Sequence, residues 1–162
     1  MAPPDVSSTV KLPPFQKLLD DHGRDVYRFL IAAVGAGAAE DCYQETWLAA
    51  LRAYPRLRDA SNLHGWIFTV AHRKAIDHAR REHRRPVPVG DLPERPAPSA
   101  EDPEDDLWAQ VRELPHKQRT AIALRFVADA GYAEISGVMG TSEEAARRNV
   151  HEGLKRLRRE YP

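Results

Sequence analysis

From Phe15 to Leu157 the apolar residues recur at intervals of three and four, the period of a helix with one buried face. No stretch alternates convincingly as a half-buried strand does. Phe15, Leu18, Leu19, Val26, Leu30 and Val34 form a first stripe, ended by Gly35 and Gly37. A second helix is expected from about Ala38 to Ala53, with Ala39, Cys42, Thr46 and Ala50 facing inward and Pro55 as its stop. Ser61 or Asn62 can cap a third helix, whose inner face is Leu63, Trp66, Ile67, Val70 and Ala71. That helix continues to about Arg84, and Phe68 lies off its stripe, where solvent can reach it. Three helices over about 70 residues can bury one small core.

Proline then interrupts the pattern. Residues 1–14 hold four prolines and few apolar residues, and are expected to be disordered. Residues 86–103 hold six, among Ala, Ser and acids, the composition of an extended linker. Beyond it Leu107, Val111 and Leu114 restore the helical period, and Pro115 suits the first position of a helix. Ile135, Val138 and Met139 give a short helix an apolar face, and Gly140 permits a tight turn after it. Thr141 is the expected N-cap of a longer basic helix, with Glu144 completing a capping box. Ala146, Val150, Leu154 and Leu157 form its buried stripe, so Arg147, Arg148, His151, Lys155 and Arg158 face outward. Two short helices about a glycine turn, the second basic, is the helix-turn-helix arrangement that enters a DNA major groove. The expected architecture is all-α: a tail over 1–14, a three-helix domain over 15–85, a linker over 86–103 and a helix-turn-helix domain over 104–162.

A net charge of +0 argues weakly against a general nucleic-acid binder, but the average hides blocks. Residues 72–85 carry six Arg/Lys against two acids, a net of +4, and residues 147–159 six against one, a net of +5. Residues 91–106 carry seven acids against one Arg, a net of −6. Basic working surfaces separated by an acidic connector fit this alternation. The single cysteine, Cys42, excludes an internal disulfide and a Cys-based zinc site. His72, His78 and His83 are spaced by six and five, which does not put them on one helix face, so no metal or cofactor is expected. No apolar run reaches the ~20 residues of a membrane span. MAPPDVSSTVKLPP lacks the basic start and apolar core of a secretory signal, which leaves the cytoplasm as the expected compartment. No phosphate loop, nucleophile elbow or clustered acid pair offers an enzyme its chemistry.

Four segments carry a family resemblance. Glu40-Asp41-Cys42-Tyr43-Gln44-Glu45-Thr46-Trp47 resembles the D-x-x-Q-E-T-F signature of sigma-70 family factors. Leu63-His64-Gly65-Trp66-Ile67-Phe68-Thr69-Val70-Ala71 resembles their F-R-x-W-L-x-x-I-A segment, continued by Ala75-Ile76-Asp77-His78-Ala79-Arg80-Arg81. Leu114-Pro115-His116-Lys117-Gln118-Arg119 resembles L-P-x-x-Q-R, which opens the family's second conserved domain. Their order and spacing are similar to the small extracytoplasmic-function (ECF) class, which keeps only the two domains known as sigma regions 2 and 4.

The resemblance implies a transcription initiation factor without catalysis of its own. Asp41, Gln44 and Glu45 share one helix face by spacing, and the resemblance implies that this face docks on the clamp helices of the largest subunit of core RNA polymerase. The polymerase flap and promoter DNA are implied partners too, and an anti-sigma factor is a common partner in the class. Minus-ten recognition and melting would fall to Arg58, Asn62, Trp66, Phe68, Arg73, Lys74, Arg80 and Arg81. Trp66 stands on the inner stripe, where core packing competes with base stacking. The minus-35 element would meet Glu143, Glu144, Arg147, Arg148, His151 and Lys155. The acidic linker reads either as a solubilising spacer or, by resemblance, as a segment passing near the RNA exit channel. The chain departs from the pattern at His64, where Arg is frequent, and at His72-Arg73, where the family usually has Arg-Asn. Asn149 and Glu152 stand where Arg is frequent. Two other readings stay open: a stand-alone helix-turn-helix regulator, and a sigma-like adaptor without promoter activity.

Overall fold

A computed structural model describes residues 11–84 and 103–160, side chains at 103–105 and 160 excepted. The expected linker, except Pro103, which opens α4, and most of the expected tail lie outside these residues. Seven α-helices are present among the described residues: α1 (Phe15–Val34), α2 (Ala36–Ala53), α3 (Leu63–Arg84), α4 (Pro103–Glu113), α5 (His116–Phe126), α6 (Tyr132–Met139) and α7 (Glu143–Glu160). They contain no strand. A 3₁₀ turn, Tyr54–Arg56, follows α2, where Pro55 cannot continue the α-helix.

One residue makes the α1–α2 corner. Gly35 adopts φ 87°, ψ 160°, a conformation that a β-carbon resists. Its N–H donates to Ile31 O at 2.9 Å and its carbonyl accepts from Ala39 N at 3.0 Å, so it closes one helix and opens the next. Hence α2 begins at Ala36, and Gly37, expected to break the chain, lies inside it.

The core of the first three helices is Val26, Phe29 and Leu30 from α1, Ala39, Cys42, Thr46 and Ala50 from α2, and Ile67, Phe68, Ala71 and Ala75 from α3. Phe29 meets Phe68 edge-to-face with ring centroids 5.6 Å apart. Thr46 is tolerated there because its hydroxyl donates to Cys42 O at 2.6 Å. Phe15 packs edge-on to Trp47 and Tyr54, and the Tyr54 hydroxyl donates to Pro13 O, tying the segment before α1 onto the end of α2.

In the second unit α5 is buried at five consecutive positions, Thr120, Ala121, Ile122, Ala123 and Leu124. A helix apolar on all sides must be covered on all sides. It is packed against α7, α1, α6 and α4. The two units are therefore not separate beads: α4 and α5 pack on α1, and α6 packs on α3. Arg119 Nη1 donates to Ala33 O at 3.0 Å, satisfying a carbonyl left over in the last turn of α1. The rings of His72 and His116 stack with centroids 6.0 Å apart, and His64 Nδ1 lies 2.7 Å from Glu134 Oε1.

His72 is 6% exposed and its Nδ1 has no partner. Burial first, then His116 and Arg73, push it down to about 4. An unfolded histidine titrates near 6.5, so below that pH the unfolded chain takes up a proton that folded His72 refuses. Its contribution is intact above 6.5 and is lost as pH falls towards 4, by at most about 1.4 kcal/mol per unit. Urea unfolding at pH 7 and pH 4.5 should therefore show the wild type losing about 2 kcal/mol more than His72→Leu. Equal losses in the two proteins would show that His72 carries none of the acid sensitivity.

Candidate functional site

Three surfaces collect the residues singled out by sequence. On α2, Asp41 and Gln44 are exposed and Glu45 is half-buried. The Glu45 carboxylate does not stand alone: Arg81 Nη2 donates to its Oε2 at 3.2 Å. Leu48 and Leu51 are each 52% exposed and continue the Asp41–Gln44 stripe at helical intervals. An apolar pair beside a polar trio is the composition of a docking face. Both leucines lie outside the segments that carry the family resemblance. Their signal was two large apolar residues off the buried stripe Ala39, Cys42, Thr46 and Ala50.

The second surface runs from the 57–62 loop along α3. Asp59 Oδ1 accepts from Ser61 N at 2.8 Å, and Asn62 Oδ1 accepts from Gly65 N at 2.9 Å. Of the two expected caps, Asn62 is thus the one that closes the first turn of α3. Arg58 and Asn62 are exposed. Trp66 is half-buried, tilted against Tyr54 at 6.1 Å. Phe68 corrects the expectation: it is 1% exposed and unavailable to a base. The buried ridge is Ile67, Phe68, Ala71, His72 and Ala75, turned from the predicted stripe because Phe29 of α1 receives Phe68. Trp66, Arg73 and Arg80, seven residues apart, share one face, with Arg73 and Arg80 exposed. Lys74 is half-buried, and Arg81 is turned towards α2 by Glu45.

The third surface is α7. Gly140 takes the left-handed conformation, φ 66°, ψ 34°, and ends α6. The cap is one residue later than expected: Ser142 Oγ accepts from Ala145 N at 3.1 Å, while the Thr141 carbonyl accepts from Ser136 Oγ at 2.5 Å. Glu144 therefore falls one place short of the capping-box position. Ala146 and Val150 are buried; Glu143, Glu144, Arg147, Arg148, His151 and Lys155 are exposed. The Arg147 guanidinium lies 5.0 Å from the centre of the Tyr132 ring, and Arg125 lies 5.5 Å from the same ring. Tyr132 thus holds the Arg147 guanidinium over its π-face. Among the described residues no His, Cys, Asp and Glu groups could hold a metal ion, and no helix is long and apolar enough to cross a membrane.

The model of sigma-70 region 2 matches residues 18–85, and that of sigma-70 region 4 matches residues 104–157. The chain belongs to the sigma-70 family. Its class is the ECF sigma factors. RNA polymerase sigma factor SigV of Bacillus subtilis is 28% identical over 143 residues, 86% of each chain. ECF RNA polymerase sigma factor SigM of the same organism is 32% identical over 149 residues, 85% of this chain and 88% of the relative. The fold is similar to that of the sigma factor RpoE from Bartonella quintana, solved with the anti-sigma factor NepR, at a TM-score of 0.74 and 20% identity over 91% of this chain and 96% of that one.

In this sigma factor α1, α2 and α3 fall within the region 2 match, and α4 to α7 within the region 4 match, apart from their outermost residues. The Asn62 cap, the first turn of α3 and Glu134 of α6 crowd together at Gly65. A β-carbon there would stand 2.4 Å from Asn62 Nδ2 and 3.0 Å from Glu134 Oε1. Gly65→Ala is expected to cost about 1–3 kcal/mol by overpacking, and Asn62→Ala about 1 kcal/mol by loss of the cap. Because the clash is largely with Asn62, the double variant should cost less than the sum in urea unfolding. Strict additivity would show that the two side chains do not compete for this space.

Proposed function

We propose that this sigma factor binds core RNA polymerase and directs it to specific promoters. On this reading α2 docks on the polymerase clamp helices, α3 recognises and melts the minus-ten region, and α7 binds the minus-35 element. The observation that carries the reading is the outward set of polar positions on α2 and α7. Asp41 and Gln44 project from α2, and Arg147, Arg148, His151 and Lys155 from α7, while Cys42 and Thr46 of α2 and Ala146 and Val150 of α7 are buried.

Each surface suits its assigned chemistry. Carboxylates on α2 pair with cationic side chains, and Leu48 and Leu51 add area whose burial excludes water from those pairs. On α3 an unstacked base regains about 1–3 kcal/mol by stacking on an aromatic ring, which offsets the few kcal/mol of flipping it. With Phe68 in the core, this reading gives that role to the half-buried Trp66, and phosphate contacts to Arg73 and Arg80. On α7 a guanidinium can engage guanine O6 and N7 together, and the Tyr132 ring restricts how Arg147 approaches the groove. The cytoplasm is the proposed compartment, since polymerase and promoters are there, and the likeness to a sigma factor solved with NepR supports an anti-sigma factor as a further partner.

Transcription by core polymerase from a genomic promoter library tests the reading as a whole. Specific start sites support it. A chain that binds DNA tightly without polymerase and starts no transcript would be a stand-alone regulator, and one that binds polymerase and starts none an adaptor.

Replacing Asp41, Gln44 and Glu45 together with Ala should abolish co-purification with core polymerase and leave the helical circular dichroism unchanged. Undiminished association would remove α2 from the docking surface. At the minus-35 element, Arg147→Ala should shift preference at one base position, by about 1–3 kcal/mol, whereas Lys155→Ala should lower transcription from all sequences alike. A promoter library varied at every minus-35 base reads both effects. Parallel preference profiles for wild type and both variants would make Arg147 a phosphate contact.

A further inference from the structure

Four of the seven histidines gather along the seam between the two units, in two groups with unlike surroundings. His22 of α1 and His64 of α3 pack edge-on at 5.3 Å, and Glu134 of α6 stands 2.7 Å from His64, so an acid faces the first group. The second group, His72 of α3 and His116 of α5, meets cations instead. Its rings lie within 16° of parallel with centroids 6.0 Å apart, one from each unit. His72 is buried and His116 is exposed, so His116 forms the lid of the pair. Arg73 acts on His72 from its own helix, and Arg119 and Lys117 act on His116 from α5. His116 is also the first residue of α5, where the N–H groups at the helix start disfavour a positive charge. The acids on neighbouring elements are engaged elsewhere: Glu134 of α6 at His64, Glu45 of α2 at Arg81, and Glu113 of α4 acts on Arg119.

We propose that the His72–His116 stack is an acid-sensitive latch: a proton on His72 has no place beneath His116, so mild acidification shifts the chain towards a form in which α5 has parted from α3. In the closed form the buried Nδ1 of His72 has no partner, and a proton there would face cations only. Once the units part, water reaches the ring and it can be charged. The parted form therefore binds more protons, and its share grows as pH falls below the ordinary histidine value near 6.5. His72 is pushed down to about 4 in the closed form, first by burial, so the ratio of parted to closed chains rises about tenfold between pH 7.5 and 5.5. Burial and its cationic neighbours lower His116 as well, which acts in the same direction. Ordinary carboxylates titrate near 4, below this window, which leaves histidines as the groups that respond. The first group works against the latch, since a charged His64 would strengthen its pair with Glu134. Apolar residues shared across the seam keep parting rare, and the latch changes how rare.

Thiol labelling of the full-length chain measures such rare states, with each rate divided by that of an unfolded peptide thiol at the same pH. Cys42 lies in the core of the first three helices and labels when that core unfolds. The second probe is Ala33→Cys in a Cys42→Ala background, because Ala33 is buried near the end of α1 and its carbonyl holds Arg119 of α5. Between pH 7.5 and 5.5 the Ala33→Cys rate should rise about tenfold and stay above the rate at Cys42. Coincident rates at the two probes would show that the chain opens only by unfolding as a whole, and a flat rate at Ala33→Cys that no proton is taken up on parting; either overturns the latch. Adding His72→Phe and His116→Phe keeps two rings at the seam and removes both protonation sites, so the rise should vanish. An undiminished rise in that variant overturns the proposal. Should the change at the buried ring disrupt the fold, His116→Phe alone serves: it replaces the lid by a ring that takes no charge and should reduce the rise, and an unchanged rise removes His116 from the latch and overturns it.

Discussion

The Ile67, Phe68, Ala71 and Ala75 ridge of α3, packed against Phe29 and its neighbours on α1, is the contact on which the other surfaces depend. Fully burying one side chain such as Phe68 contributes roughly 1.5–3 kcal/mol. The contact is also an angular constraint. A helix has one azimuth in which this ridge faces α1, and that azimuth fixes where every other residue of α3 points. Trp66 comes to rest at the margin of Tyr54, Arg73 and Arg80 face water, and Arg81 reaches Glu45. The exposed chemistry of the first unit is thus set from inside by the shape of two phenylalanines in edge contact.

Helices were legible in the sequence because their signals are local. Proline, glycine and a three-to-four spacing marked α1, the end of α2 and the whole of α3 to within a residue or two. Errors arose where two local signals competed. Thr141 and Ser142 are both cap residues, and which one acts depends on Gly140 turning the chain left-handed, after which Ser142 stands at the right place. Trp66 and Phe68 are both aromatic at adjacent faces of α3. Spacing alone put the larger one inward, whereas the packed structure chose the one that faced Phe29. The polar trio on α2 was visible from its spacing, but Leu48 and Leu51 needed the structure, since an apolar residue's exposure is settled by what the other helices leave uncovered.

Contacts between distant segments were the least legible. Nothing in the stretch around His64 announces Glu134, seventy residues away, or assigns Arg119 to a carbonyl at the end of α1. Such pairs follow from burial. Once α5 and α6 lie on α1 and α3, polar groups caught at the seam must find partners or remain unsatisfied. His72 is the group that finds none for its Nδ1, and burial, with His116 and Arg73 beside it, holds it neutral.

The seam between the two units has a property that its contacts alone do not display. Residues 85–102 join the units covalently, and at about 3.3–3.6 Å per residue they can reach no more than roughly 65 Å. Separation at the seam therefore never disperses the partners. Each faces the other at an effective concentration fixed by the length of the connection, of millimolar order for short flexible links and lower as the link lengthens. An association that would be too weak to survive between free molecules in a cell can be the prevailing state within one chain. The apolar core that runs from α1 and α3 into α5 and α6, with a handful of polar pairs and stacked rings, then keeps the sigma factor folded upon itself.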